Sequence, residues 1–258
     1  MLQNTICKPN QTLTAKHSVR WKEQPMIIDA GVITEWNELS DLVRQQFKKG
    51  WIYRGVRSSE YLLRPGIGRV GARKDAHNRE LPYSADEERQ LLDQFAREAR
   101  ATFKWQPNTM LEWMILGQHH RLPTRLLDWT QSLLVAAFFA VEDPRREAAI
   151  YGVEPPTEPD NLGANPFGED FGDIPMLIRP PHISPRITAQ KGVLTIHPRP
   201  DSDWDSDGIH RWRIATDFTF TLKGILDFCG LHAASLFPDS ADRHTEHLGW
   251  LYKRGRLG

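Results

Sequence analysis

Apolar positions recur at helix or strand spacing along most of the chain, and the first 24 residues are the exception. That stretch scatters Lys8, Lys16, Arg20 and Lys22 without periodicity and reads as a flexible N-terminal arm. Residues 25–33 (PMIIDAGVI) read as a short strand and turn. Thr34 then stands as the cap of a helix with Trp36, Leu39, Leu42, Val43 and Phe47 on one face, and Gly50 is its stop. Trp51-Ile52-Tyr53 is an apolar β run that Arg54-Gly55 is expected to break. Residues 57–80, basic and glycine-rich, read as a loop. Ser84-Ala85-Asp86-Glu87 is a capping box, and the helix behind it lines up Leu91, Leu92, Phe95 and Ala99, with Arg97, Arg100 and Lys104 at its basic end. Thr109-Met110-Leu111-Glu112 opens another helix that ends near Gly117.

Residues 118–130 show neither period. Leu133 to Val141, capped by Ser132 or Asp128, is apolar nearly all round and therefore a buried helix. Ala148 to Val153 and Met176 to Ile178 read as strands. Between them, residues 154–175 form an acidic Pro/Gly-rich insert: Glu154 to Asp173 holds six carboxylates and four prolines, with no Lys or Arg. Such a segment is expected to stay on the surface without packing. Arg186 to Ile196 reads as strand–turn–strand around Lys191-Gly192, Arg211 to Phe220 as a strand, Leu222 to Cys229 as a helix, and the tail from Pro238 as a polar helix. Short strands with segregated helices predict an α+β class, one domain over residues 25–258.

Charge and composition narrow the function classes. Lys plus Arg and Asp plus Glu each number 33, so the net charge is zero and only a local patch could capture nucleic acid. Hydrophobic residues at 40% exclude a disordered chain. Cys7 and Cys229 are too few for a disulfide scaffold. No apolar run reaches the roughly 18–20 residues of a membrane span, so no membrane partner and a cytoplasmic location are expected. Nine tryptophans are available as core filler or stacking platforms.

Candidate chemistry gathers around residues 118–130. His119-His120 with Asp128 offers metal-ligand types, but adjacent histidines diverge and no third ligand stands at a familiar offset, so no metal is expected. No G-x-S-x-G elbow or P-loop is present, and Gly66-x-Gly68 with Gly71 lacks the strand-to-helix turn of a dinucleotide fingerprint. Two readings of Asp128 stay open: a structural ion pair with Arg125 or a buried one with Arg54, or a ligand pocket lined by Arg54, Trp129 and the histidines.

Tyr53-Arg54-Gly55, Leu62 to Arg69, Gln118-His119-His120 through Trp129-Thr130, Ala136 to Ala140, and Ala189 to Leu194 resemble the FRG domain, with Tyr53 where the family has Phe and Leu194 where it has an aromatic. The resemblance spans about residues 35–250. More distantly, the order of elements is similar to ADP-ribosyltransferases: Arg54-Gly55 on a first strand, Thr124 or Thr130 ahead of Ala136 to Ala140, and Gln190 on a later strand where those enzymes carry a catalytic Glu. That resemblance implies a split β-sheet core with flanking helices and NAD as substrate. It implies catalytic roles for Arg54, His119, Asp128 and Gln190. Tyr53, Arg54, Gly55, His120, Thr124, Trp129 and Thr130 would contact NAD. Because Gln190 is no carboxylate, Asp128 is expected to supply the negative charge that stabilises an oxocarbenium-like ribose. The same resemblance implies a toxin or phage-defence effector with a macromolecular acceptor, RNA or other nucleic acid, and an antitoxin partner. The alternative is a non-catalytic nucleotide or nucleic-acid binding module.

Overall fold

The computed structural model describes residues 27–256 except 70, 104, 105, 162, 164, 169, 170 and 207. The N-terminal arm and Lys104 lie outside the described residues. A seven-stranded mixed sheet organises the α+β fold. Its strands are β1 (Ile28–Ile33), β2 (Ile52–Val56), β3 (Leu126–Thr130), β4 (Ala148–Val153), β5 (Met176–Ile178), β6 (Gly192–Ile196) and β7 (His210–Ile214), in the order β1-β7-β4-β2-β3-β6-β5. Only β1 and β7 run parallel; every other pairing is antiparallel.

The helices are α1 (Trp36–Gln46), α2 (Ala85–Ala99), α3 (Met110–His119), α4 (Leu133–Ala140), α5 (Pro185–Ala189), α6 (Thr216–Phe228), α7 (Ala233–Leu236) and α8 (Ala241–Tyr252). The side-chain hydroxyls of Ser84, Thr109 and Ser132 accept from the backbone amide three residues on, which fixes the starts of α2, α3 and α4. Asp128 therefore caps nothing; it sits inside β3. Glu35 rather than Thr34 caps α1, because Thr34 spends its amide and hydroxyl on Glu38.

One sheet face carries Tyr53, Ile150, Trp212 and Ile214 against α4 and α6. Farther along that face, Leu126, Leu194 and Ile196 meet α2 and α3. The other face packs Ile52, Leu127, Trp129 and Tyr151 against Leu63, Ile209 and Trp204 from long loops. β4 lies between these layers and is buried throughout.

Several expectations are corrected. β2 does not break at Arg54-Gly55 but runs through to Val56. Gly55 permits this by having no side chain: a Cβ there would stand 1.9 Å from the Ala136 carbonyl oxygen of α4. Residues 118–130, without visible period, finish α3 at His119 and then form β3. β3 is buried on both faces except at Asp128, so no alternation could appear. Arg186 to Ile196 is helix then strand, because Pro185 opens α5 and Lys191 turns the chain at φ 47°. The Arg211–Phe220 strand ends at Ile214, and Thr216 begins α6. The acidic insert does pack in part, with Phe171 buried and Phe167 against the same cluster.

Candidate functional site

The sheet opens between its two middle strands. β2 pairs with β4 along its whole length, and β3 pairs with β6 likewise. Between β2 and β3, only Tyr53 and Thr130 are in register. Beyond that point no ladder joins them, and a cleft of about 900 Å³ lies over the seam. Arg54 spans the gap. Its Nη1 donates to the Asp128 carbonyl oxygen at 2.6 Å, while the Asp128 carboxylate stands 4.0 Å away. The expected buried ion pair is therefore a main-chain contact: Asp128 keeps a side chain 66% exposed, against 17% for Arg54. Burial and the nearby Arg69 pull the Arg54 pKa down, and Asp128 opposes them.

The Asp128 carboxylate is held from its own side of the sheet. Gln118 Nε2 donates to Oδ2 at 3.1 Å, and the Thr124 hydroxyl donates to Gln118 Oε1 at 2.6 Å, which sets the amide's orientation. Thr124 thus lies outside the cleft wall and acts on Asp128 through Gln118. Arg125, the other expected partner, instead forks onto Glu88 of α2 at 2.9 Å, and both are buried.

Arg57, Arg64, Arg69 and Arg186 share the remaining wall with Glu60, Glu142 and Asp203. Arg64 makes a two-pronged bond to Asp203, at 2.8 and 2.9 Å. Glu142 is taken by Arg243, with Arg57 at 3.9 Å. Arg69 Nε reaches only the Arg64 carbonyl, and Arg186 stacks on Phe237 at 4.7 Å from the ring centre. Neither Arg69 nor Arg186 pairs with a carboxylate among the described residues. Such guanidinium forks match phosphate oxygens. Sequence reading passed over Arg186, whose only signal is a basic residue one position after the α5 proline.

Tyr53, Arg54, Gly55, Asp128, Trp129, Thr130 and Gln190 all line the cleft. His119, His120 and Thr124 do not. The histidines sit at the end of α3, where His119 Nε2 is 3.9 Å from Asp239 and the His120 ring packs on Phe103 at 4.5 Å. Burial lowers both imidazole pKa values, with the Arg186 charge adding to it. Neither Trp129 nor Tyr53 offers an open ring. The Trp129 indole N–H donates to the Thr195 hydroxyl at 2.9 Å, and burial pushes the Tyr53 phenol up to about 12. Gln190 is not on the later strand but at the end of α5, donating to the Leu236 carbonyl at 2.9 Å, while its own carbonyl accepts from Thr130.

A second buried group was not anticipated. The Thr195 hydroxyl lies 2.8 Å from His197 Nε2. Burial, then the Arg54 charge, push His197 down to about 3, so the ring is neutral; the Thr195 hydroxyl accepts from Trp129 and joins that indole to the His197 ring. A Thr-x-His at a strand end is the one sequence trace of this relay.

Among the described residues, no group of His, Cys, Asp and Glu side chains is placed to hold a metal ion, and no helix is long and apolar enough to cross a membrane. Compared with known families, residues 49–149 match the FRG domain. That span runs from β2 to the first two residues of β4 and is shorter than the 35–250 expected, leaving Gln190 outside it. No curated protein and no solved structure matches the chain.

Proposed function

With an FRG domain at residues 49–149 as the premise, we propose that the cleft binds NAD and transfers its ADP-ribose group to a macromolecular acceptor. The observation that carries this reading is Asp128, an exposed carboxylate oriented by Gln118 in a cleft that Arg69 and Arg186 also line. Arg69 and Arg186, without carboxylate partners among the described residues, suit the pyrophosphate. Asp128 would face the nicotinamide ribose and stabilise the positive charge that grows there. The C1′–nitrogen bond breaks and its electron pair leaves with nicotinamide. The acceptor nucleophile bonds to C1′, and its proton passes to the Asp128 carboxylate. Nucleic acid is the acceptor to test first, because the cation-rich loop 57–80 borders the cleft. An effector role restrained by an antitoxin protein belongs to the same proposal and rests on the resemblance alone.

A non-catalytic nucleotide-binding module is the second reading. Gln190 favours it, since the side chain at the position compared with a catalytic Glu is an amide tied to the Leu236 carbonyl. The experiment incubates the protein with labelled NAD and RNA, DNA or protein, using Asp128→Asn and Arg186→Ala as variants. Label transfer lost in Asp128→Asn, with NAD binding weakened in Arg186→Ala, supports the transferase. Saturable NAD binding without nicotinamide release selects the binding module. Absence of NAD binding by the folded protein overturns both readings of the cleft for this ligand.

A further inference from the structure

A second cavity, of about 310 Å³, lies where α4, α6, α7 and α8 meet. Phe138, Leu231 and Trp250 supply its apolar walls. Lys223 and Asp227 enter it from α6, one helical turn apart and so on one face. Opposite charges at that spacing ordinarily pair, and these do not. Lys223 Nζ donates to the Glu142 backbone carbonyl at 2.9 Å, and Asp227 Oδ2 accepts from Arg256 at 2.9 Å. Glu142 and Glu246, the acids nearest the lysine, are both engaged by Arg243. Among the described residues Asp227 Oδ1 is buried without a hydrogen-bond donor, in a side chain only 6% exposed, and His247 Nδ1 at 3.4 Å does not meet it in hydrogen-bond geometry. An unpaired carboxylate oxygen in the interior is a standing cost that a ligand N–H would remove.

The second wall is flat. His232 and His247 stack with ring centres 3.8 Å apart and planes 7° from parallel. His232 Nδ1 accepts from the Ser235 amide, so this ring presents no added charge. Glu142 and Glu246 line the cavity too but are held by Arg243, and Lys253 lines it from an exposed position; the less exposed charges facing it are the Lys223 ammonium and the Asp227 carboxylate, over an apolar floor, at the lower end of the roughly 300–1,000 Å³ range of small-ligand sites.

We propose that this cavity binds a small zwitterion, an α-amino acid with an apolar side chain. Its ammonium group meets Asp227 Oδ1, its carboxylate meets Lys223 Nζ, and its side chain lies among Phe138, Leu231 and Trp250. A simple amine would leave Lys223 unmatched, and a simple acid would leave Asp227 so. The site is independent of the NAD reading, although Glu142 borders both cavities.

Calorimetric titration with L-phenylalanine and L-leucine tests the proposal, with phenethylamine and 3-phenylpropionate as half-ligands. The expected result is saturable binding of an amino acid, about ten- to hundredfold weaker for either half-ligand and in Asp227→Asn or Lys223→Met. Asp227 also holds Arg256, so a variant that leaves the charges intact is needed. Gly249 lines the cavity with open space where a Cβ would stand, and Gly249→Leu fills it from α8. This variant should fold and lose binding. No binding of either amino acid at about 10 mM overturns the proposal, as do half-ligands binding as tightly as the whole or binding unchanged in Gly249→Leu.

Discussion

Arg54 Nη1 is 2.6 Å from the carbonyl oxygen of Asp128 and 4.0 Å from its carboxylate. The guanidinium thus serves the backbone of β3 first and the side-chain charge second. Arg54→Met should cost about 1–3 kcal/mol, the range for a charged hydrogen bond lost from a largely buried site, together with nucleotide binding. Asp128→Asn should change stability by less than about 0.5 kcal/mol, since its side chain is mostly in solvent. Urea denaturation of the two variants separates these outcomes. Equal losses would mean that the side-chain ion pair, not the carbonyl contact, holds the seam.

Gly55 answers to packing. A methyl group there would collide with the Ala136 carbonyl at 1.9 Å and the Ala140 amide nitrogen at 2.6 Å, both backbone atoms that cannot rotate away. Gly55→Ala should therefore lower stability by about 3 kcal/mol or more, at or beyond the upper end of ordinary overpacking. Gly66→Ala is the control, because its nearest neighbour would be Pro123 at 3.8 Å. Thermal melts of the pair should differ by many degrees; similar melts would show that α4 can slide.

Arg125 and Glu88 are buried together, and Tyr83 joins them by donating to Glu88 and accepting from Arg125. Glu88→Ala leaves a buried cation alone and should cost about 3–5 kcal/mol. The double variant Glu88→Leu/Arg125→Met should recover most of that loss, because no charge is then stranded. Chemical denaturation measures both, and a double variant no better than the single one would contradict the account.

His197 predicts an acid limb. Its folded-state pKa lies at about 3 against 6.5 for a free imidazole. Between those values the unfolded chain binds a proton that the folded chain refuses. Stability therefore falls as the pH falls through this window, by up to about 1.4 kcal/mol per pH unit. His197→Gln should flatten the dependence between about pH 4.5 and 6.5, whatever it does to absolute stability. Parallel curves for wild type and variant would rule out a neutral buried ring.

What was legible in the sequence depended on whether the physics was local. Ser84, Thr109 and Ser132 announce helix starts through hydroxyls that act within one turn, and α2, α3 and α4 begin there. β3 was hidden because a strand covered on both faces has no alternation to display. Thr216 to Phe220 misled because alternating Thr and Phe satisfy strand spacing, while their contacts to α4 and Pro144 come from far along the chain. At the site, the sequence pointed to Arg54, Asp128 and Thr130, which do meet in the cleft. It could not show that the Thr124 hydroxyl works through Gln118, that Arg125 has turned away to Glu88, or that Arg186 arrives from α5. Those relations join segments 37 or more residues apart in the case of Arg125 and are set by the topology of the sheet.

The open seam also bears on how the chain avoids misassembly. Two strands joined by a single registered pair are, beyond that pair, edge strands turned inward, with backbone groups available to an extended peptide that reaches them. At the rim of a sheet, proteins guard such edges with charge. Here Arg54 does so from within, occupying the Asp128 carbonyl and placing a cation where an invading strand would have to lie. A chain without that arginine would have two ways to satisfy the exposed groups: zip β2 onto β3 and erase the cleft, or accept a strand from a neighbour. The residue that keeps the cleft open is thereby also a guard against aggregation.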